Sequence, residues 1–70
     1  MNSFLLHHEQ LYYLLDMISK GRLISREQAA RKFNCSKFTI QRMINELRLM
    51  DHDIRYSRTR GRYVMHKPEE

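Results

Sequence analysis

The chain has 70 residues, 41% of them hydrophobic and 30% charged, so it is expected to form one small domain with a modest core. Thirteen Lys and Arg residues oppose eight Asp and Glu residues, and the net charge of +5 favours polyanionic partners, nucleic acid before anionic membrane. The composition excludes a membrane-spanning helix, since no run of about 18 apolar residues occurs, and a single cysteine excludes an internal disulfide. Because no signal peptide is evident, we expect a cytoplasmic protein.

The first predicted element is a helix over residues 1–20, which Gly21 is expected to end. Its main apolar stripe would cover the later helices, and it consists of Leu11, Leu14, Leu15 and Ile18. A second apolar line on another side of the helix is formed by Leu6, Tyr13 and Met17. One small domain does not need so broad an apolar surface. The second line therefore predicts either a homodimer interface or side chains half-buried against the domain's own C-terminal strands.

Residues 25–36 predict a short helix followed by a tight turn. Ser25 carries the hydroxyl of a helix N-cap, and Gln28, three residues later, can close a capping box. Asn34 tolerates the left-handed conformation that such a turn requires, and Ser36 is placed to cap the next helix.

The next helix is predicted over residues 37–50, with Ile40, Ile44 and Leu47 as its buried stripe. The remaining face is polar and basic, with the amides and guanidinium groups that read base edges, and it comprises Lys37, Phe38, Thr39, Gln41, Arg42, Asn45 and Arg48. The pattern is typical of a helix-turn-helix whose second helix enters the DNA major groove. The alternative is an ordinary pair of core helices with a solvated charged face.

From residue 54 the apolar period changes from that of a helix to the alternation of strands, which predicts a β-hairpin. A short extended link at residues 22–24 could add one bridge, so the sheet is expected to have two or three strands. Gly61 supplies the positive φ that the connecting loop needs. Three arginines near the tip suit phosphates and a narrow minor groove: Arg58, Arg60 and Arg62. The alternative is a solubilising loop.

Residues 14–65 resemble the winged helix-turn-helix domain of the DeoR-like and biotin-repressor-like type. The version that precedes a ligand-sensing WYL domain in bacterial transcriptional regulators is the most similar. The resemblance is carried by SKFTIQRMI at residues 36–44 and by GRY at residues 61–63. It implies an α+β fold of three helices and a C-terminal hairpin wing, and we expect the domain to span residues 1–66. The composition of residues 67–70, KPEE, predicts a disordered tail.

The resemblance also implies that Thr39 and Arg42 contact the DNA backbone or bases. The chain departs from the family at three positions. Met43 stands in place of an acidic residue, Phe38 in place of a polar or basic one, and Asp51 in place of the Gly that ends the recognition helix.

The sequence thus predicts a DNA-binding transcriptional regulator, or the DNA-binding domain of one. It is not expected to be an enzyme, to need a cofactor or to bind a metal. Expected partners are double-stranded DNA, a second copy of the chain, and a missing C-terminal effector domain or partner protein. When the helix at residues 37–50 enters the major groove, Ser36 and Thr39 are expected to hold phosphates and the wing arginines to hold the flanking backbone. Three side chains are expected to face base edges: Gln41, Arg42 and Asn45. One alternative is a winged-helix assembly module whose contact surface is Phe38 and the apolar line of Leu6, Tyr13 and Met17. The other is a nucleic-acid binder without sequence preference.

Overall fold

In a computed structural model the chain folds as three helices followed by an antiparallel hairpin, the arrangement of a winged helix-turn-helix. The structure describes the backbone of residues 3–66 and the side chains of residues 7–66. The elements are α1 (Ser3–Ser19), α2 (Arg26–Phe33), α3 (Lys37–Leu49), β1 (Asp53–Ser57) and β2 (Arg62–His66). The predicted fold class is confirmed, while the predicted tail at residues 67–70 lies outside the described residues. Within the described part of the chain, no helix is long and apolar enough to cross a membrane.

The core lies where α1 and α3 meet the first strand. The stripe predicted on α3 is confirmed, because Ile40, Ile44 and Leu47 are fully buried. Full burial of one such side chain stabilises the fold by about 1.5–3 kcal/mol. On the predicted α1 stripe, Leu11, Leu14 and Ile18 are buried and Leu15 is partly buried.

Met17 also belongs to this core, which corrects the assignment of its side chain to a second, outward apolar line. Only 5% of Met17 is exposed. The Arg22 N–H donates to the Met17 carbonyl at 2.8 Å, so the chain turns back at the end of α1 and closes the helix there. The buried Met17 side chain is therefore a core residue and is not part of an outer surface of α1.

The predicted turn residues and helix caps around α2 are confirmed. Gly21 has φ +71° at the end of α1, and Asn34 has φ 57° and ψ 51° between α2 and α3. The hydroxyl of Ser25 accepts from the Gln28 N–H at 3.0 Å, and that of Ser36 accepts from the Thr39 N–H at 3.2 Å. These caps satisfy backbone donors that have no partner within the first turn of a helix.

The capping box at α2 differs from its prediction in one contact. Gln28 does not reach the N–H of the cap residue. Its Oε1 accepts from the Ile24 N–H at 2.7 Å, and its Nε2 donates to the Arg22 carbonyl at 3.2 Å. Gln28 therefore holds the extended link against the start of α2.

The hairpin pairs Ile54 with Met65 and Tyr56 with Tyr63, and Gly61 has φ +66° in the turn, as predicted. The described sheet has two strands. The link nevertheless makes one backbone hydrogen bond to it, from the Tyr63 N–H to the Leu23 carbonyl at 2.8 Å. This contact and the buried side chain of Ile54 attach the wing, residues 53–66, to the helices.

Candidate nucleic-acid interface

The face of α3 opposite the core presents a line of exposed side chains, which we call the outward stripe: Phe38, Arg42, Asn45 and Leu49. Their spacing of i, i+4, i+7 and i+11 keeps them on one side of the helix. Phe38 is 69% exposed and Leu49 85% exposed. Among the described residues, the Arg42 guanidinium has no hydrogen-bond partner, so it is available to a ligand.

Hydroxyl groups and a lysine lie at the N-terminus of α3. Ser36 Oγ and Thr39 Oγ1 are 3.2 Å apart, and Lys37 Nζ lies 3.6 Å from Glu27 Oε2. The pKa of Glu27 is lowered, first by hydrogen bonding from its own backbone N–H and then by the charge of Lys37. Helix N-termini attract anions through their free N–H groups, and the two hydroxyls can add donors for a phosphate.

A continuous series of hydrogen bonds runs from α2 along α3, from Arg26 to Arg48, and we call it the ladder. Arg26 Nη1 donates to Gln41 Oε1 at 2.9 Å, and Gln41 Nε2 donates to Asn45 Oδ1 at 3.1 Å. Arg48 Nη1 donates to the same Asn45 oxygen at 3.4 Å. The ladder therefore restrains two of the three side chains that were predicted to face base edges.

Arg48 is engaged inside the domain, which the sequence did not predict. Its Nε and Nη2 donate to the Ile54 carbonyl at 3.1 and 2.9 Å. Strand β1 begins soon after α3 ends, and this brings the carbonyl within reach of the guanidinium. We therefore assign Arg48 to bracing the wing against α3, in place of the expected position on the free DNA face.

Arg62 is likewise directed away from the wing tip, contrary to the expected cluster of three arginines. Its Nη1 donates to the Gly21 carbonyl at 3.1 Å, and its Nε donates to the Arg60 carbonyl at 3.3 Å. A cation at the C-terminal end of α1 is favourable because the last carbonyls of a helix carry partial negative charge. Arg62 thus joins β2 to the end of α1.

The tip of the wing retains two exposed arginines, Arg58 and Arg60. The Arg60 N–H donates to Ser57 Oγ at 3.2 Å, and the Gly61 N–H donates to the Ser57 carbonyl at 2.8 Å, so the turn itself is held in place. Neither guanidinium has a hydrogen-bond partner within residues 7–66. Two positive charges therefore project from an ordered turn.

The outer side of α1 offers less apolar surface than the sequence suggested. Tyr13 is 49% exposed and packs edge-on against Phe33 of α2, with ring centroids 5.4 Å apart, and not against the C-terminal strands. Lys32 Nζ lies 5.6 Å from the centroid of the Tyr13 ring. Met17 is in the core, and the side chain of Leu6 lies outside the described residues. The dimer interface stays a prediction that now depends on Tyr13.

Cys35 packs against the core from the turn between α2 and α3 and is partly buried. Burial raises the pKa of its thiol. A raised pKa disfavours the thiolate, which is the reactive form of cysteine.

Sequence reasoning missed Arg26, which orients Gln41 from the neighbouring helix. Its position at the start of α2 gave no sign of this, because the contact depends on how the two helices cross.

Comparisons of the chain with protein-family models, with curated proteins and with solved structures found no match. The assignment to the winged helix-turn-helix arrangement therefore depends on the topology and on the motif itself.

Proposed function

We propose that the domain binds double-stranded DNA, with α3 in the major groove and the wing on the flanking backbone, as in a transcriptional regulator. The single observation that supports this most is the exposed guanidinium of Arg42 on the outward stripe, which has no hydrogen-bond partner among residues 7–66. It lies on the same helix, α3, against which the wing is braced. A helix fits the major groove, which is about 12 Å wide. The net charge of +5 has the sign that duplex DNA requires.

Each part of this surface has a distinct role in the proposal. Ser36 and Thr39 bind a phosphate at the N-terminus of α3, where the helix dipole favours an anion. Arg42 and Asn45 contact base edges, which carry the sequence information. Arg58 and Arg60 bind the flanking backbone, and such contacts add affinity without reading sequence.

The proposal is tested by fluorescence anisotropy with labelled duplexes and two sets of variants. Arg58→Ala combined with Arg60→Ala should weaken binding to all duplexes alike and reduce the slope of log affinity against log salt by about 1–2. The charge-matched control is Lys20→Ala combined with Lys32→Ala, which removes two charges from the α1 side of the domain. Equal losses in the two double variants would show that the wing has no specific part in binding.

A second candidate, a protein-interaction module, is favoured by the exposure of Phe38 and Leu49. Arg42 and Asn45 lie between them on the outward stripe, so the two apolar side chains do not form one patch. Within the DNA-binding proposal, Phe38 contacts a thymine methyl group, a contact known for phenylalanine. Phe38→Ala should then weaken DNA binding. Unchanged DNA binding by this variant would show that Phe38 does not contact the duplex, and no DNA binding by wild type would favour the protein-interaction module.

A further inference from the structure

The ladder determines which atoms of its two amide side chains remain free. Guanidinium groups only donate hydrogen bonds, and an arginine lies at each end of the ladder. Gln41 must therefore turn Oε1 towards Arg26, which directs its Nε2 towards Asn45. Asn45 receives donors from both Gln41 and Arg48, so it must turn Oδ1 to them.

This orientation leaves the outward stripe with donors and almost no acceptors. An amide oxygen has two lone pairs, and both of those on Asn45 Oδ1 are engaged, at 3.1 and 3.4 Å. The Asn45 amino group keeps two N–H donors, and Arg42 adds a guanidinium with only donors. One lone pair of Gln41 Oε1 stays free, but Gln41 is half-buried beside α2 and off the stripe.

We propose that this face selects guanine in the major groove, an inference that rests on the proposed DNA binding and specifies its target. Guanine presents two acceptors there, N7 and O6, whereas adenine presents one acceptor and one donor, thymine one acceptor beside a methyl group, and cytosine a donor. Asparagine ordinarily reads adenine by donating to N7 and accepting from N6. Asn45 cannot accept from N6, because Arg48 and Gln41 already occupy its oxygen. Asn45 and Arg42 therefore both match guanine.

In this inference Arg26 and Arg48 are positioning residues, because each acts on the target through the orientation of an amide. Arg26 is the better one to test, since Arg48 also braces the wing. Arg26→Met removes the donor that holds Gln41, so the Gln41 amide can turn and present its other end to Asn45. Arg31→Met is the matched control, as it removes the same charge from an exposed position of α2 outside the ladder.

The test begins with the wild-type chain and a randomised duplex library, from which the preferred site is selected. Each guanine of that site is then replaced singly by 7-deazaguanine, which lacks the N7 acceptor, or by hypoxanthine, which keeps N7 and O6 but lacks the minor-groove amino group. We expect 7-deazaguanine to weaken binding by at least about fivefold at one or more positions. This factor is the lower end of the discrimination that one good base contact provides. Hypoxanthine at the same positions should change affinity by less than about twofold, because its major-groove edge is that of guanine.

The variants give a second readout that a merely structural role would not change. We expect Arg26→Met to lower the preference for guanine over adenine at the Asn45 position by at least about fivefold. Arg31→Met should keep the wild-type preference. A selected site without guanine, or full tolerance of 7-deazaguanine in a protein that binds DNA, would overturn the guanine inference and leave DNA binding standing. No binding to any duplex would overturn both.

Discussion

Replacing Arg48 by methionine should detach the wing from α3, and it also removes the longer hydrogen bond from Arg48 to Asn45 on the outward stripe. Arg48 is joined to β1 by two hydrogen bonds to the Ile54 carbonyl, at 3.1 and 2.9 Å. Methionine keeps an unbranched apolar stem and a high helix propensity, so the variant removes the guanidinium with little other change. In the variant, water has to replace the two guanidinium donors of the Ile54 carbonyl.

The expected loss of stability in Arg48→Met follows from the chemistry of these two hydrogen bonds. A hydrogen bond to a charged group contributes about 1.5–3 kcal/mol when it is shielded from solvent. Here two donors share one acceptor and Arg48 is exposed, so water compensates for much of the loss. We therefore expect the free energy of unfolding to fall by about 1 kcal/mol, which lowers Tm by about 4–8 °C in a domain of this size.

Thermal unfolding followed by circular dichroism measures this change, and amide hydrogen exchange in residues 53–66 reports whether the wing loosens. Arg42→Met is the matched control, because Arg42 lies on the same helix without a hydrogen-bond partner among the described residues. The control should change stability by less than about 0.5 kcal/mol. Equal melting temperatures for the two variants, with unchanged exchange in the hairpin, would refute the bracing role of Arg48.

Three further predictions concern a helix end, an acidic side chain and the dimer. Asp51 has φ +73° after α3, so Asp51→Gly should stabilise the domain by about 1 kcal/mol in urea unfolding, whereas Asp51→Ala should not. The pKa of Glu27 lies below its ordinary value of 4.5, so ionised Glu27 stabilises the fold fully above pH 4.5 and this stabilisation is lost as pH falls through the lowered pKa. Glu27→Gln lacks this group, and its free energy of unfolding should therefore fall less than that of wild type between neutral pH and about pH 3. If α1 forms the dimer interface, Tyr13→Glu should convert a dimer into the 8.6 kDa monomer in sedimentation equilibrium, and a wild type that is monomeric even on DNA would contradict the dimer.

The parts of the fold that could be predicted from the sequence depend on interactions between residues close in the chain. Ser25 and Ser36 cap helices through N–H groups three residues away, and Gly21 and Asn34 adopt the left-handed conformations that their residue types favour. Such contacts need only local geometry, and a periodic apolar stripe then identifies the buried face of α3.

The parts that could not be predicted depend on contacts made after the elements pack. Arg62 reaches the Gly21 carbonyl across 41 positions of the chain, and Arg26 reaches Gln41 from another helix. A long arginine side chain can bind any carbonyl or amide that packing brings near it, and residue type does not specify which one. The same argument applies to Arg48, whose position on a polar helix face predicted a free group.

The central claim is that the basic surface of α3 and the wing binds duplex DNA, and the salt dependence of affinity tests it most directly. Affinity is measured by gel shift at several salt concentrations with random and selected duplexes. Neutralising about 5 phosphates predicts a slope of log affinity against log salt near −4 to −5. An affinity that stays flat between low and physiological salt would contradict the claim and favour a protein-interaction module.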